Sequence, residues 1–471
     1  MNGMQIFTAM LSEHLLLLGI VGLLVLEITG RAGRQQRLAF GLALVCVAAA
    51  AVAAAGLALS GFTAAPFAGQ FSVDPVGLAA KAMVLALALP VLLIARADFA
   101  EPEFPVLLLS SLYGVCLMQS ADSFLTLFLG LEILSLPLYV LVLLAWRRPQ
   151  AAEAALKYLV LGGAATATLL MGAALVYGST GSLGLAAFGK VLVATDALSR
   201  TAVVLVLLAF FLKGAIVPFH AWAPDAYEAA SIPVTAYMAT IVKAAVLLAA
   251  VRLFAGVTLA APMSELVIVL PLVSIVWGNL AAMRQPSLRR MIAYSSIAHA
   301  GYLFLALLGD PAGRLQSVAF YLLVYGVLNL LVFTALPTSS SDNDDTRDGL
   351  ERLKGLYHRS PAAALMIGAA MLSLAGIPPL PGFIAKFLIF RNVLAAGHVS
   401  TAVLGLVGSF LGIYFYLRVI QFMFMSPSAQ PALAGVRAHR LALSASALCV
   451  AATVVVAVFP GWVMARFVAI P

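Results

Sequence analysis

Lysines stand where hydrocarbon is expected. Lys81, Lys157, Lys213, Lys243 and Lys386 lie inside stretches otherwise apolar enough to cross a bilayer, whereas the arginines sit almost entirely at the ends of such stretches. A lysine at mid-membrane costs about 3 kcal/mol on insertion scales, so several kept in one chain imply a purpose. Lysine, unlike arginine, can give up its proton when desolvated, which makes it a candidate proton carrier. Glu132 lies at the centre of LTLFLGLEILSLPLYVLV with no charged neighbour on its own helix, so its partner comes from another helix. Lys213 is the expected one. Burial disfavours an ammonium and a near carboxylate favours it, so changing the spacing of Glu132 and Lys213 would switch the lysine's hold on its proton. His220 and His299 could pass protons between lysines, with Tyr294, Ser295, Ser296 and Tyr302 holding water. Lys386 would be the terminal carrier.

Each residue also has a plain structural reading. Glu132 could be a protonated acid bridging two helices, and Lys213, Lys243 and Lys386 could form static ion pairs that fix packing. The two histidines could be hydrogen-bonded packing residues. Lys157 follows Glu153 by four residues near a helix end, the spacing of an ordinary intrahelical pair. Lys81 is six residues into its helix and is expected to snorkel to the interface. Cys46, Cys116 and Cys449 are isolated in apolar runs, without the paired spacing of a cluster, zinc site or disulfide framework. No GxxxxGK[ST] loop, dinucleotide fingerprint or haem-ligand pattern occurs. A lysine relay here would be driven by an ion gradient or by conformational change and charge in a neighbouring subunit.

The elements that position these groups are membrane helices. The 471 residues are 63% hydrophobic and 10% charged, with a mean hydropathy of +1.08. That composition excludes a soluble globular protein, and the net charge of +8 reads as a topology signal instead of a nucleic-acid surface. About fourteen stretches reach the roughly 20 residues needed to span. The first, containing Glu13 and His14, is expected to be a retained helix. Arg147, Arg148, Arg284, Arg289, Arg290 and the polar stretch 337–360 fall on one side, against Lys190, Arg200, Arg252, Arg314, Arg391 and Arg466 on the other. The positive-inside rule then puts both termini on the non-cytoplasmic side.

The run 361–396 would be about 54 Å long as one helix and holds Pro378, Pro379, Pro381 and Gly382 at its middle, so it is expected to break. The seventh run is interrupted likewise between Gly214 and Pro218. Together with the likeness of ALKYLVLGG (155–163) to VAFYLLVYG (318–326), this points to two inverted repeats. The expected fold is an all-α polytopic membrane protein: residues 1–103 a three-helix segment, 104–256 a five-helix repeat broken near Pro218, 257–425 an inverted five-helix repeat broken near Pro378–Gly382, and 426–471 a C-terminal helix.

Five motifs in order, LTLFLGLEILSLPLYVLV, ALKYLVLG, FLKGAIVPFHAWAPDAYEAA, RRMIAYSSIAHAGY and GIPPLPGFIAKF, resemble the antiporter-like membrane subunits of proton-pumping NADH:quinone oxidoreductase, respiratory complex I. The resemblance covers nearly the whole chain. It is strongest to the subunit N branch, because the chain ends after a fourteenth helix, lacks the lateral helix of the L branch, and carries Lys386 where the M branch is expected to have an acid. It implies proton translocation through Glu132, Lys157, Lys213, His220, Lys243, His299 and Lys386. It implies no cofactor in this chain, with NADH, flavin, iron–sulfur clusters and quinone on partner subunits. Further antiporter-like subunits would be among its membrane partners, in a bacterial inner membrane. The multi-subunit cation/proton antiporters share these motifs and are the alternative reading; an assembly scaffold is a third. The acidic stretch 339–355 has no counterpart in the resemblance and is expected to be a cytoplasmic loop ending in a short helix.

Overall fold

The computed structural model describes residues 3–29, 35–98, 103–145, 149–254, 263–336, 349–425 and 440–467, with Val257, Leu259 and Ala261 between them. Among these, twelve helices are long and apolar enough to span a membrane, and the shorter Glu103–Gln119 and Pro361–Ala375 join them. The chain is therefore a multi-span helical membrane protein. One exception to the all-helical expectation is a small antiparallel hairpin, Ala64–Phe67 with Phe71–Val73, in the loop before the third long helix. Arg147 and Arg148, and residues 339–348 of the acidic stretch, lie outside the described residues. Its remainder forms a one-turn helix, Leu350–Leu353, followed by Leu356–Arg359.

Polar residues set the helix starts. Ser123 accepts a hydrogen bond from Thr126 N (3.1 Å) at the head of Phe124–Leu143, and Ser287 accepts one from Arg290 N (3.2 Å) at the head of Leu288–Leu305. Each satisfies an amide that has no partner within its own helix. Each serine also bridges to a later glycine, Ser123 to Gly184 and Ser287 to Gly349. Glycines bring each of these helices against the one before it. A Cβ on Gly114 would lie 2.3 Å from Leu134 N, and one on Gly278 would lie 2.7 Å from Tyr294 O. Such close backbone approach is how small residues join helices where lipid supplies no hydrophobic drive.

Both interruptions expected from the prolines are present, and both end the preceding helix in the same way. Ala197–Gly214 stops at Ala215, which is left-handed (φ 59°), with Ile216 N donating to Phe211 O at 2.9 Å. Pro361–Ala375 stops at Gly376, also left-handed (φ 87°), with Ile377 N donating to Leu372 O at 3.2 Å. The second pieces are Trp222–Ala229 and Pro381–Ala395. Amides and carbonyls freed at a break must find partners inside protein; Val217 N, for example, donates to Ser274 Oγ at 2.9 Å. The span Ile232–Leu253 is wholly enclosed by other helices, and Leu288–Leu308 and Pro311–Thr334 nearly so. These three carry Lys243, His299, Tyr302, Tyr321 and Tyr325.

Candidate functional site

Leu288–Leu305 is the centre of the arrangement. Ser295, His299 and Tyr302, spaced by four and three residues, fall on one face, with Ser296 beside them, and all are buried. His299 is held on both sides of its ring: Nδ1 is 2.7 Å from the Tyr321 hydroxyl and Nε2 is 3.0 Å from the Tyr416 hydroxyl, which also lies 2.5 Å from Ser295 Oγ. Lys243 donates from Nζ to both the carbonyl and the hydroxyl oxygen of Ser296, one turn before His299. Its ammonium also lies 6.0 Å from the Tyr325 ring centroid, and that ring is 4.6 Å from the His299 ring. On the other side, Tyr302 is 5.6 Å from His299 and 5.4 Å from the Lys386 ammonium. Lys243, Tyr325, His299, Tyr302 and Lys386 are thus successive neighbours in a buried row.

The backbone reinforces each end of that row. Lys243 directly follows a π-helical turn, Met238–Val242, which the apolar pattern of 232–256 does not reveal. Such turns recur at functional sites because the wide turn re-aims the side chains that follow. Lys386 donates to Ala375 O (3.1 Å), a carbonyl at the end of the preceding half-helix, and to Ser409 Oγ (3.0 Å). The second break thereby anchors a lysine from across the gap.

At the first break the expected pairing takes a different form. Among the described residues no direct ion pair or hydrogen bond joins Glu132 to Lys213. Lys213 instead donates to Ser135 Oγ at 3.0 Å, one turn beyond Glu132 on the same helix, while Glu132 Oε1 is buried with no hydrogen-bond partner. The hydroxyl that accepts from Lys213 thus lies one helical turn from a buried, unpartnered carboxylate oxygen. Leu131, Thr166 and Phe210 line a void beside Lys213 too small to admit a water molecule.

Lys157 is more exposed than the other lysines of the candidate site and lies in a charge cluster. Its ammonium is 2.7 Å from Glu153 Oε1, as the spacing predicts, and also 2.7 Å from Asp225 Oδ2, on the short helix beyond the first break. Arg290 meets Asp225 (3.1 Å) and Glu228 (2.7 Å), and Arg289 donates to Ala230 O at 2.6 Å. The cluster therefore ties the end of the broken helix to the start of Leu288–Leu305. His220 stands apart from the row, accepting at Nε2 from Trp277 Nε1 (3.0 Å), with Nδ1 buried and unpartnered.

One expectation is corrected. Lys81 does not snorkel; its side chain is 0% exposed and its ammonium is 2.6 Å from Glu13 Oε1. Six residues into the helix, it points inward to an acid of the first helix instead of outward to the interface. The signal available in sequence was Glu13 itself, a second charge in an apolar run. Ser135, Tyr321, Ser409 and Tyr416 carry no sequence signal of their own; the hydroxyl residues that stand out, Tyr294, Ser295, Ser296 and Tyr302, are those beside His299 in the chain. Among the described residues no group of three or more His, Cys, Asp and Glu side chains is arranged to hold a metal ion.

A helical bundle with two broken helices and a row of buried lysine, histidine and tyrosine side chains defines an antiporter-like membrane protein. The family model described as NADH:quinone oxidoreductase/Mrp antiporter, TM, matches residues 121–412, and the chain belongs to this family. NADH-quinone oxidoreductase subunit N of Pelobacter propionicus is 37% identical over 88% of this chain and 89% of its own length. Subunit 14 of the Thermus thermophilus NADH-quinone oxidoreductase is 42% identical over 78% and 81%. A chain of the T. thermophilus respiratory complex I solved with bound aureothin superposes with a TM-score of 0.82 at 36% identity, covering 96% of this chain and 98% of that one. The matched segment contains all seven candidate residues and excludes the Glu13–Lys81 pair.

Proposed function

We propose that this chain is the subunit N-type proton-translocating membrane subunit of an NADH:quinone oxidoreductase, with protons carried by Glu132, Lys157, Lys213, His220, Lys243, His299 and Lys386. The observation that carries the reading is the buried row from Lys243 through His299 to Lys386, in which every ionisable group has a hydroxyl or aromatic neighbour and, among the described residues, no carboxylate forms an ion pair with it. Two lysines that far from water, unpaired with acids, suit groups that take up and release protons better than static ion pairs. In this reading the Lys213 ammonium alternates at the first break between Ser135, its acceptor in the structure, and Glu132 one turn away. When it faces Glu132 the proton is held; when it turns to Ser135 the proton is freer to leave. Lys243 then passes protons towards His299, whose two nitrogens face opposite tyrosines and so can receive on one side and release on the other. Lys386 delivers them at the second break.

In this reading the chain is a non-redox member of the complex. NADH oxidation and quinone reduction belong to partner subunits, the chain holds no cofactor, and other antiporter-like subunits flank it in a bacterial inner membrane. Both termini face the non-cytoplasmic side, and residues 104–256 and 257–425 are the two inverted repeats. The repeated serine caps and left-handed helix ends support that division. Replacing Lys213 or Glu132 by alanine in the assembled complex is expected to depress proton pumping coupled to quinone reduction. Normal pumping from a correctly assembled variant refutes the assignment. Sodium-dependent proton exchange without NADH oxidation would favour the multi-subunit cation/proton antiporter instead.

A further inference from the structure

A cavity of about 700 Å³ opens outside the proton row, between Gln35–Leu59, Pro75–Asp98, Pro311–Thr334 and Arg440–Val458, and the C-terminal turn closes part of it. Its size falls within the roughly 300–1,000 Å³ of small-molecule sites. The walls are apolar, and the room comes from small residues facing one another, Ala58, Ala79, Ala82, Ala86 and Ala452 among them. From Pro75 to Pro90 the groove follows one helix for about 22 Å at 1.5 Å per residue, deeper than one leaflet of a hydrocarbon layer about 30 Å thick.

Among the described lining residues a single one is charged, Arg466. It lies at the mouth, its guanidinium 5.0 Å from the ring of the exposed Trp462. Tryptophan and arginine together are the pairing proteins use at the level of lipid headgroups. A cation over an aromatic ring at one end of a long apolar groove matches an amphiphile with an anionic head and a hydrocarbon tail.

We propose that this groove is a binding site for an anionic phospholipid, with the phosphate on Arg466 and an acyl tail between the N-terminal segment and Pro311–Thr334. The tail would lie against Leu323 and Val327, interleaved in sequence with Tyr321 and Tyr325 of the proton row. It would also run beside Ala82, next to Lys81. A lipid there would wedge the buried Glu13–Lys81 pair's helix against the helix that positions His299.

The test uses native membranes containing the full chain, a phosphatidylglycerol with a photoactivatable group in its tail, and mapping of labelled peptides. Label on Pro75–Asp98 and Arg440–Val458 is expected. Arg466→Gln should reduce it about tenfold, and Arg466→Lys should keep most of it. Ala86→Leu, which fills the groove without touching the charge, should also remove it and covers the case in which Arg466→Gln fails to accumulate. Equal labelling by a phosphatidylcholine or isoprenoid quinone probe overturns the anionic assignment. Label unchanged in both Arg466→Gln and Ala86→Leu, or absent from these helices with every probe, overturns the site.

Discussion

Ser135→Ala isolates the contact that the structure makes in place of the expected ion pair. The hydroxyl accepts from Lys213 at 3.0 Å, and the adjacent Glu132 Oε1 has no partner. Removing the hydroxyl leaves the unpartnered Glu132 carboxylate, one turn away on that helix, as the acceptor to which the ammonium should turn. A hydrogen bond to a charged group contributes about 1.5–3 kcal/mol. At about 1.4 kcal/mol per decade, its loss shifts the balance between the two positions of Lys213 by roughly 10- to 100-fold towards the carboxylate. Protons should then be held more tightly at the first break, and pumping should fall to about a tenth of the parent rate or below. Inverted membrane vesicles report this directly, with NADH oxidation followed alongside the quench of a pH-sensitive dye. Ser135→Thr keeps the hydroxyl and should pump. In a Glu132→Gln background, Ser135→Ala should cost little more, since the competing carboxylate is gone. Pumping by Ser135→Ala within about twofold of the parent, with Lys213→Ala inactive in the same vesicles, refutes the two-acceptor switch.

Three further outcomes follow from the geometry. Lys81→Met alone should destabilise the chain by about 3–5 kcal/mol, because it strands the Glu13 carboxylate, whereas Glu13→Leu with Lys81→Met should recover most of it; thermal unfolding in detergent distinguishes the two. Gly382→Ala places a Cβ 1.8 Å from Ser373 O, so Pro381–Ala395 must shift and carry Lys386 off Ala375 and Ser409; assembled complex with unimpaired pumping contradicts this. Asp196 heads Ala197–Gly214, and its bond from Ser199 N holds its carboxyl below the usual carboxylate range. A group depressed in the folded state stabilises above its ordinary pKa of about 3.9 and loses that contribution as pH falls through the folded value, so the melting difference between parent and Asp196→Ala should hold at neutral pH and vanish in acid.

The buried lysines could be found in sequence because hydrocarbon tolerates charge so poorly that Lys213, Lys243 and Lys386 stand out one residue at a time. The breaks were legible for a similar reason: Pro218 and the Pro378–Gly382 cluster cannot continue a helix. What sequence does not carry is rotation about each helix axis. That is why Lys81 reads as interfacial when it turns inward to Glu13, and why nothing in sequence marks Ser135 as the direct acceptor for Lys213. The π turn before Lys243 leaves no mark in the apolar pattern either, since every residue from Met238 to Val242 would suit an ordinary helix.

The charge cluster at the head of Leu288–Leu305 has a mechanical consequence. Arg289 and Arg290 pin that end to the short helix beyond the first break, so the helix is a lever whose fulcrum lies on the segment 222–230. From Arg290 to His299 the arm is about 13 Å at 1.5 Å per residue. A tilt of about 5° therefore moves the imidazole by roughly 1 Å, enough to open a 3.0 Å contact with Tyr416 beyond bonding range. Rearrangement around Lys213 and Asp225 need not travel as charge to reach His299; a few degrees of leverage would break or remake its contact with Tyr416.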